Sequence, residues 1–394
     1  MNLFDAGERT DTRYKRHSEP EFAYLNQSAR PSVIALRSLL EEWYDRVPAV
    51  AQPDLRSRFR SNDDYSHASA FFELYLHELL RKLGYTLTVH PPVQGSGTHP
   101  DFLVSRNDGC EFYMEATLAG IPSKAEQGAQ ARIDQVYDVL DRMDSPDFFI
   151  RVALSGSPAT PPPGSRLRGD VERWLRTVDL EAIASAGAAG DFHSLPRYSW
   201  NHEGWEIELM PIAKSPAARG KPGVRPLGMF SPEAQWLQTD ADLKDALEAK
   251  AKKYGVLEVP FIIAVNFVGL HCDECDILNC LVGQESTVVS LDQNNNVVEE
   301  RAERKRNGFW FGPSGPRNQG VSGVLVFPGL NEWNMAVLDP KLYHNPWATR
   351  PLSPDCWALS QRIPNTSVGR FENRPGRTAG EVLGLPDPWP PSWD

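Results

Sequence analysis

The sequence lacks the features that define several large classes of protein. No apolar run approaches the ~20 residues that a helix needs to cross a bilayer. Only five of 394 residues are cysteines, and the polar stretch at 1–22 is unlike a signal peptide, so we do not expect a secreted disulfide scaffold. The formal net charge is −11, so any contact with nucleic acid requires a local basic patch. We expect a soluble, cytoplasmic protein of a reducing compartment that does not associate with membranes.

The short motifs of several enzyme classes are also missing. The chain has no G-x-x-x-x-G-K-[ST] loop, no G-x-S-x-G turn, no H-E-x-x-H pair, and no G-x-G-x-x-G at a strand-helix junction. We therefore do not expect nucleotide hydrolysis, serine hydrolase activity or dinucleotide binding.

A carboxylate lies inside the strongest helical pattern of the chain. Apolar side chains surround most of the predicted helix at 67–83, and Glu73 is among them. A buried carboxylate is costly unless it is paired, protonated or close to a metal ion. A strand at 85–90 follows, and then two strands at 101–105 and 111–118 that a short turn pairs with each other.

Two further carboxylates occupy positions that strand propensity does not favour. Asp101 follows a proline at the opening of one strand, and Glu115 lies in the middle of the next, on the same face as Thr117. Taken singly, Asp101 is typical of a turn cap and Glu115 of an edge-strand charge. Glu73 alone is typical of a boundary residue or of a partner for a nearby arginine.

The order and spacing of these elements resemble the PD-(D/E)XK nuclease superfamily, which includes many restriction enzymes and RecB-like nucleases. The resemblance covers residues 67–154 and, more loosely, a helix and strand at 240–267. It implies that Asp101 and Glu115 bind a divalent cation, Mg²⁺ or Mn²⁺, and that Glu73 completes the metal site. Mg²⁺ prefers hard oxygen ligands, and such a cation lowers the pKa of a bound water and offsets charge on the scissile phosphate.

The third position of the motif departs from the superfamily pattern. Thr117 stands where the resemblance implies a lysine that orients the attacking water and stabilises the transition state. A threonine hydroxyl can hydrogen-bond the water but supplies no charge. Lys124 or Lys250 could replace that lysine, two metal ions could make it less necessary, or the domain could have lost catalysis. We prefer the replaced lysine.

The predicted helix at 240–254 contains a second partial match. Lys250 and Tyr254 lie four residues apart, which loosely matches the Gln-x-x-x-Tyr element of RecB-like members. Lys252 and Lys253 lie beside them. The alternative interpretation is a solvated helix C-terminus, where basic side chains interact favourably with the helix dipole.

Two other clusters offer different chemistry. A C-x₂-C pair with a nearby histidine and third thiol could bind zinc, but a structural site usually has a second pair, so we regard zinc as unlikely. This cluster comprises His271, Cys272, Cys275 and Cys280. Three alternating arginines precede the helix at 67–83 and form a basic stripe. They are Arg56, Arg58 and Arg60.

Together these patterns predict an α/β fold with a mixed central sheet flanked by helices, a restriction-endonuclease-like core with large insertions, and a loop-rich C-terminal part. We expect an N-terminal arm and helix at 1–60, a core at 61–290 interrupted at about 155–235 by an elaboration of the same sheet, and an extension at 291–394 packed on the core.

The function that we expect is metal-dependent cleavage of phosphodiester bonds in DNA. The protein would act alone, as a homo-oligomer, or with a partner protein as the effector of a restriction or anti-phage defence system. The alternative is a catalytically degenerate module that binds nucleic acid or a protein partner.

Overall fold

The computed structural model describes residues 1–95, 97–156, 160–221, 224–231, 239–269, 271–291, 297–365 and 370–391. The helices are α1 (Glu21–Gln27), α2 (Pro31–Tyr44), α3 (Gln52–Phe59), α4 (Asp64–Lys82), α5 (Lys124–Leu140), α6 (Gly164–Leu175), α7 (Leu180–Ala188), α8 (Thr239–Ala251), α9 (Glu274–Val282) and α10 (Ala379–Leu383). The strands are β1 (Thr86–Val89), β2 (Phe102–Ser105), β3 (Glu111–Ala119), β4 (Phe148–Ser155), β5 (Tyr198–His202), β6 (Trp205–Ala213), β7 (Leu227–Ser231), β8 (Phe261–Phe267), β9 (Glu285–Leu291), β10 (Val297–Arg304), β11 (Phe311–Gly312), β12 (Gly315–Pro316), β13 (Gly323–Pro328), β14 (Lys341–His344), β15 (Gln361–Asn365) and β16 (Arg370–Arg374).

The chain forms two compact units. The first comprises residues 1–12, 20–121 and 237–394, and the second comprises residues 13–19 and 122–236. The inserted segment therefore begins at residue 122 rather than near 155.

An eight-stranded mixed sheet forms the centre of the first unit. Its strand order is β1-β2-β3-β8-β13-β14-β15-β16. The three central strands, β3, β8 and β13, are parallel to one another, and antiparallel pairs lie on both sides of them. Every residue of β8 is buried, as its continuous apolar sequence predicts. The predicted mixed central sheet flanked by helices is confirmed.

The two faces of this sheet pack against different helices. Phe112, Met114 and Ala116 of β3 share one hydrophobic core with α4, whereas Ile263 and Val265 of β8 share another with α8. Alternation along β3 therefore turns Glu115 away from the face on which α4 packs. Two residues mark the ends of α4. The Asp63 side chain caps the N-terminus of the helix, and Gly84, with a φ of 88°, follows its C-terminus.

The N-terminal region is not the arm that the sequence suggests. Leu3 and Phe4 are buried in the core of the first unit, and Phe4 packs its ring against Phe22 and Phe59. Burying large side chains so close to the terminus fixes this segment on α1 to α3.

The loop-rich C-terminal part is also more than an extension. β13 lies parallel to β8 with Gly323 opposite Ile262, and β14 to β16 continue the sheet beyond it. Residues 323–374 therefore supply four of the eight strands of the central sheet.

The second unit has a sheet of its own, with strand order β5-β6-β4-β7. Helices α5 to α7 contribute apolar side chains to a separate core that includes Trp205, Leu167 and Val171. The expectation that this insertion elaborates the central sheet was wrong. β4 instead pairs with β6 and β7 inside the second unit.

The structure contains one disulfide, which we did not expect for a protein of a reducing compartment. It joins Cys110, at the start of β3, to Cys356, with the Cα atoms 5.6 Å apart. No helix in the described part of the chain combines the length and apolar composition needed to cross a bilayer.

Candidate functional site

Glu115 lies in the middle of β3 and is the most heavily hydrogen-bonded carboxylate of the site. Its side chain is 1% exposed. Lys250 and Lys253 donate to Oε1 from 2.7 and 2.9 Å, and the hydroxyl of Tyr254 donates to Oε2. Tyr254 also lies 3.0 Å from the carbonyl oxygen of His99. A buried glutamate thus has two cations and one phenol within hydrogen-bonding reach.

The position of α8 explains this arrangement. Leu243 and Leu247 are buried on the sheet side of the helix, which packs against β3 and β8. Lys250 lies in its last turn, one turn beyond Leu247. Gly255, with a φ of 69°, lets the chain turn from Tyr254 toward β8. Because Leu243 and Leu247 fix the face of α8 that packs on the sheet, Lys250 lies next to Glu115.

Asp101 lies directly before β2, opposite Glu115 if the pairing of Phe102 with Met114 is continued by one residue. Its Oδ2 accepts a hydrogen bond of 2.7 Å from the backbone N–H of Ala116. Burial, followed by the negative charges of Glu115 and Glu73, raises the pKa of Asp101 to about 7. The electrostatic environment of Asp101 therefore favours either a proton on its carboxyl group or a cation beside it.

Glu73, on α4, is held by an arginine. Arg58 Nη1 and Nη2 lie 2.7 Å from Oε1 and Oε2 of Glu73, and Arg58 Nε donates to Asp54 over 2.9 Å. Arg58, Glu73 and Asp101 line one pocket, together with His77 and other residues. Pairing with a nearby arginine, one of the two alternatives for Glu73, is what the structure shows.

The three predicted ligands do not converge on one point. In the described part of the chain, only one group of three His, Cys, Asp or Glu residues has ligand atoms all within 4.8 Å of one another, and it contains none of them. The reason lies in the fold: Glu115 points to the α8 face of the sheet, whereas Glu73 belongs to the helix on the other face and is held by Arg58.

The two remaining predicted residues differ in their positions. Thr117 follows Glu115 on the same face of β3, and its hydroxyl contacts the carbonyl oxygen of Leu118 at 3.4 Å. Lys124 begins α5 in the second unit, where its ammonium group lies 3.1 Å from Gln127 Oε1. Of the lysines considered from the sequence, Lys250 is the one that contacts Glu115.

The donor set of Asp101 and Glu115 fits a hard divalent cation. Two carboxylates on adjacent strands supply oxygen ligands, and Oδ1 of Asp101 accepts no hydrogen bond from any residue that the structure describes. A cation there would offset the repulsion that raises the pKa of Asp101. Glu73 could join this set only by leaving Arg58.

The thiols of the cysteine cluster do not belong to the group of converging metal-ligand atoms found among the described residues. The group of metal-ligand atoms mentioned above consists of His271, Asp273 and Asp276, and it includes no thiol. Burial raises the pKa of the Cys272 thiol to about 12. Cys280 is buried in the core beside α8.

Sequence reasoning did not assign two contacts of the site, that of Lys253 with Glu115 and that of Arg58 with Glu73. Lys253 was interpreted as part of a solvated helix end, and Arg58 as part of a basic stripe. A usable signal was present for the first, since Lys253 and Tyr254 lie three and four residues after Lys250. No family model matches the chain, and no curated protein or solved structure matches it either.

Proposed function

We propose that the first unit is a metal-dependent nuclease that cleaves phosphodiester bonds in DNA. The observation that carries this proposal is the 2.7 Å contact between Lys250 Nζ and Glu115 Oε1. It brings a lysine from α8 to the acidic residue of a motif whose own third position is Thr117. The proposal rests on the PD-(D/E)XK-like order of elements together with this contact.

Each residue then has a role that its surroundings support. Asp101 and Glu115 would hold Mg²⁺ or Mn²⁺, which would supply a bound water of lowered pKa and positive charge beside the phosphate. The ammonium group of Lys250 orients the attacking water and stabilises the negative charge that develops. Tyr254 and Lys253 fix the carboxylate of Glu115 for that task. We place the reaction in the cytoplasm, in a protein acting alone, as a homo-oligomer, or with a partner in a restriction or defence system.

A second candidate function has a specific observation in its favour. Both oxygens of Glu115 accept hydrogen bonds from protein side chains, and Glu73 is paired with Arg58. A domain that had lost its metal would keep such internal pairs. In that case the protein is a nuclease-like module that binds nucleic acid or a protein partner without cleaving it.

Cleavage of plasmid and single-stranded DNA with Mg²⁺ or Mn²⁺ separates the two functions. Asp101→Ala and Glu115→Ala should abolish cleavage, and Lys250→Met should reduce it by about 10²–10³-fold, as expected when one charge-stabilising group is lost. Lys252→Met is the matched control, because Lys252 is exposed two residues further along and should leave the rate unchanged.

The outcomes are distinct. Metal-dependent cleavage that survives Lys250→Met at the level of Lys252→Met would remove Lys250 from the mechanism. A folded wild-type protein that cleaves no DNA with either cation would overturn a nuclease that acts alone and would favour the binding module or a nuclease that needs a partner protein.

A further inference from the structure

We propose that Arg58 is a phosphate-binding residue of this site and that Glu73 occupies its guanidinium group until DNA arrives. The inference rests on the proposed nuclease function and adds a substrate contact that the sequence motif does not include. It concerns the binding of a backbone phosphate beside the scissile bond, not the bond-breaking step.

The geometry of Arg58 is that of a phosphate receptor already filled by a carboxylate. Its two terminal nitrogens each lie 2.7 Å from a different oxygen of Glu73. An arginine fork binds two oxygens of a carboxylate and two oxygens of a phosphate in the same bidentate manner. Glu73 therefore occupies the position that two non-bridging phosphate oxygens would take.

Arg58 has a second anchor that would remain when Glu73 leaves. Its Nε donates to Asp54 Oδ2 over 2.9 Å, one turn earlier on α3. The same Asp54 oxygen also lies 2.9 Å from Nη2, so it holds the edge of the guanidinium group that Nε and Nη2 form. With that edge held from α3, Arg58 can exchange Glu73 for a phosphate without a new side-chain conformation.

The position of the pair connects it to the proposed metal site. Arg58, Glu73 and Asp101 line the same pocket, and the charge of Glu73 contributes to the field at Asp101. The Glu73 side chain is 17% exposed and that of Arg58 30%, so both can change partner without unpacking the core. A cation held by Asp101 and Glu115 would attract the charge of Glu73 and so would make Arg58 more available to DNA.

Binding of fluorescently labelled duplex DNA, measured by anisotropy with EDTA or Ca²⁺, tests this exchange without relying on cleavage. Glu73→Gln should release the fork and tighten binding in EDTA by about tenfold, the expected value of one charged bidentate contact. Adding Arg58→Gln to Glu73→Gln should abolish this gain. The second substitution should also change the salt dependence of binding. The slope of log affinity against log salt concentration should become about one unit less steep.

A matched control separates a specific contact from net charge. Glu73→Gln with Arg56→Gln has the same net charge as Glu73→Gln with Arg58→Gln, and Arg56 lies on the same helix with its Nε bound to the Asn2 carbonyl oxygen. The control should keep most of the gain. Both double variants keep a polar side chain at each position, and thermal melts would verify that they fold.

Two results would overturn the proposal in different ways. Equal DNA affinity of the two double variants at every salt concentration, in a protein that binds and cleaves DNA, would make the Arg58–Glu73 pair purely structural. A wild-type protein that binds no DNA in EDTA or Ca²⁺ would overturn both this inference and the nuclease function on which it rests.

Discussion

Replacing Asp101 by asparagine should stabilise the metal-free protein at neutral and alkaline pH. The Asp101 side chain is partly buried, and desolvation together with Glu115 and Glu73 raises its pKa from 3.8 to about 7. In the unfolded chain the carboxyl loses its proton near the ordinary value, whereas in the folded protein it keeps that proton until near neutral pH. Folding therefore becomes less favourable as the pH rises from about 4 to about 7.

The size of the effect follows from the shift. One pKa unit corresponds to about 1.4 kcal/mol, so the ionised carboxylate costs the folded protein about 4 kcal/mol above pH 7. About 3 kcal/mol of this appears between pH 5 and pH 8. Asparagine cannot ionise, and its amide oxygen can still accept from Ala116. The variant should therefore gain stability over wild type by about 2–4 kcal/mol at about pH 8 and by much less at about pH 5.

Urea unfolding in EDTA at several pH values measures this difference directly. Asp245→Asn, an exposed substitution on α8, is the control, and its difference from wild type should not depend on pH in the same way. If the stability difference between Asp101→Asn and wild type stayed constant from about pH 5 to about pH 8, Asp101 would not carry the raised pKa and the electrostatic argument for the site would fail. Adding Mg²⁺ should stabilise wild type more than the variant.

Two further predictions concern residues around the same strand. Cys356→Ser should lower the free energy of unfolding by about 2–4 kcal/mol without reductant and change it little with reductant, and equal stability without reductant would mean that Cys110 and Cys356 are thiols in solution. Thr117→Lys in a Lys250→Met background should restore part of the cleavage rate, since residue 117 lies on the face of β3 that carries Glu115. A rate no higher than that of Lys250→Met alone would show that the motif position can no longer serve catalysis.

The sequence predicts the local structure around the motif well because that structure depends on short-range signals. The apolar helix ending at a glycine, and the two strands around a tight turn, place Asp101 and Glu115 opposite each other. Hydrophobic alternation identifies the face of β3 that carries Glu115. The spacing of leucines predicts that α8 is a helix, but only the tertiary fold shows which end of this helix contacts β3.

The remaining features depend on long-range pairing that local patterns do not encode. β13 is a central strand because it pairs in parallel with β8. The two strands are far apart in the sequence, and no local pattern indicates that they pair. β4 has an ordinary strand pattern, yet it pairs with β6 and β7 in another sheet. In the sequence, Arg58 is one of three alternating arginines. Only the packing of α3 against α4 shows that it pairs with Glu73.

The fold explains how a lysine outside β3 reaches Glu115. A positive charge beside Glu115 can come from residue 117 on β3 or from any element that packs over the same face of the sheet. Because β3 and β8 are parallel neighbours, the helix that leads into β8 crosses that face, and its last turn ends near the middle of β3. Lys250 occupies this turn and reaches Glu115 with its ammonium group. Threonine at 117 then leaves the strand intact, since a β-branched residue suits a strand, while the charge is supplied from the helix.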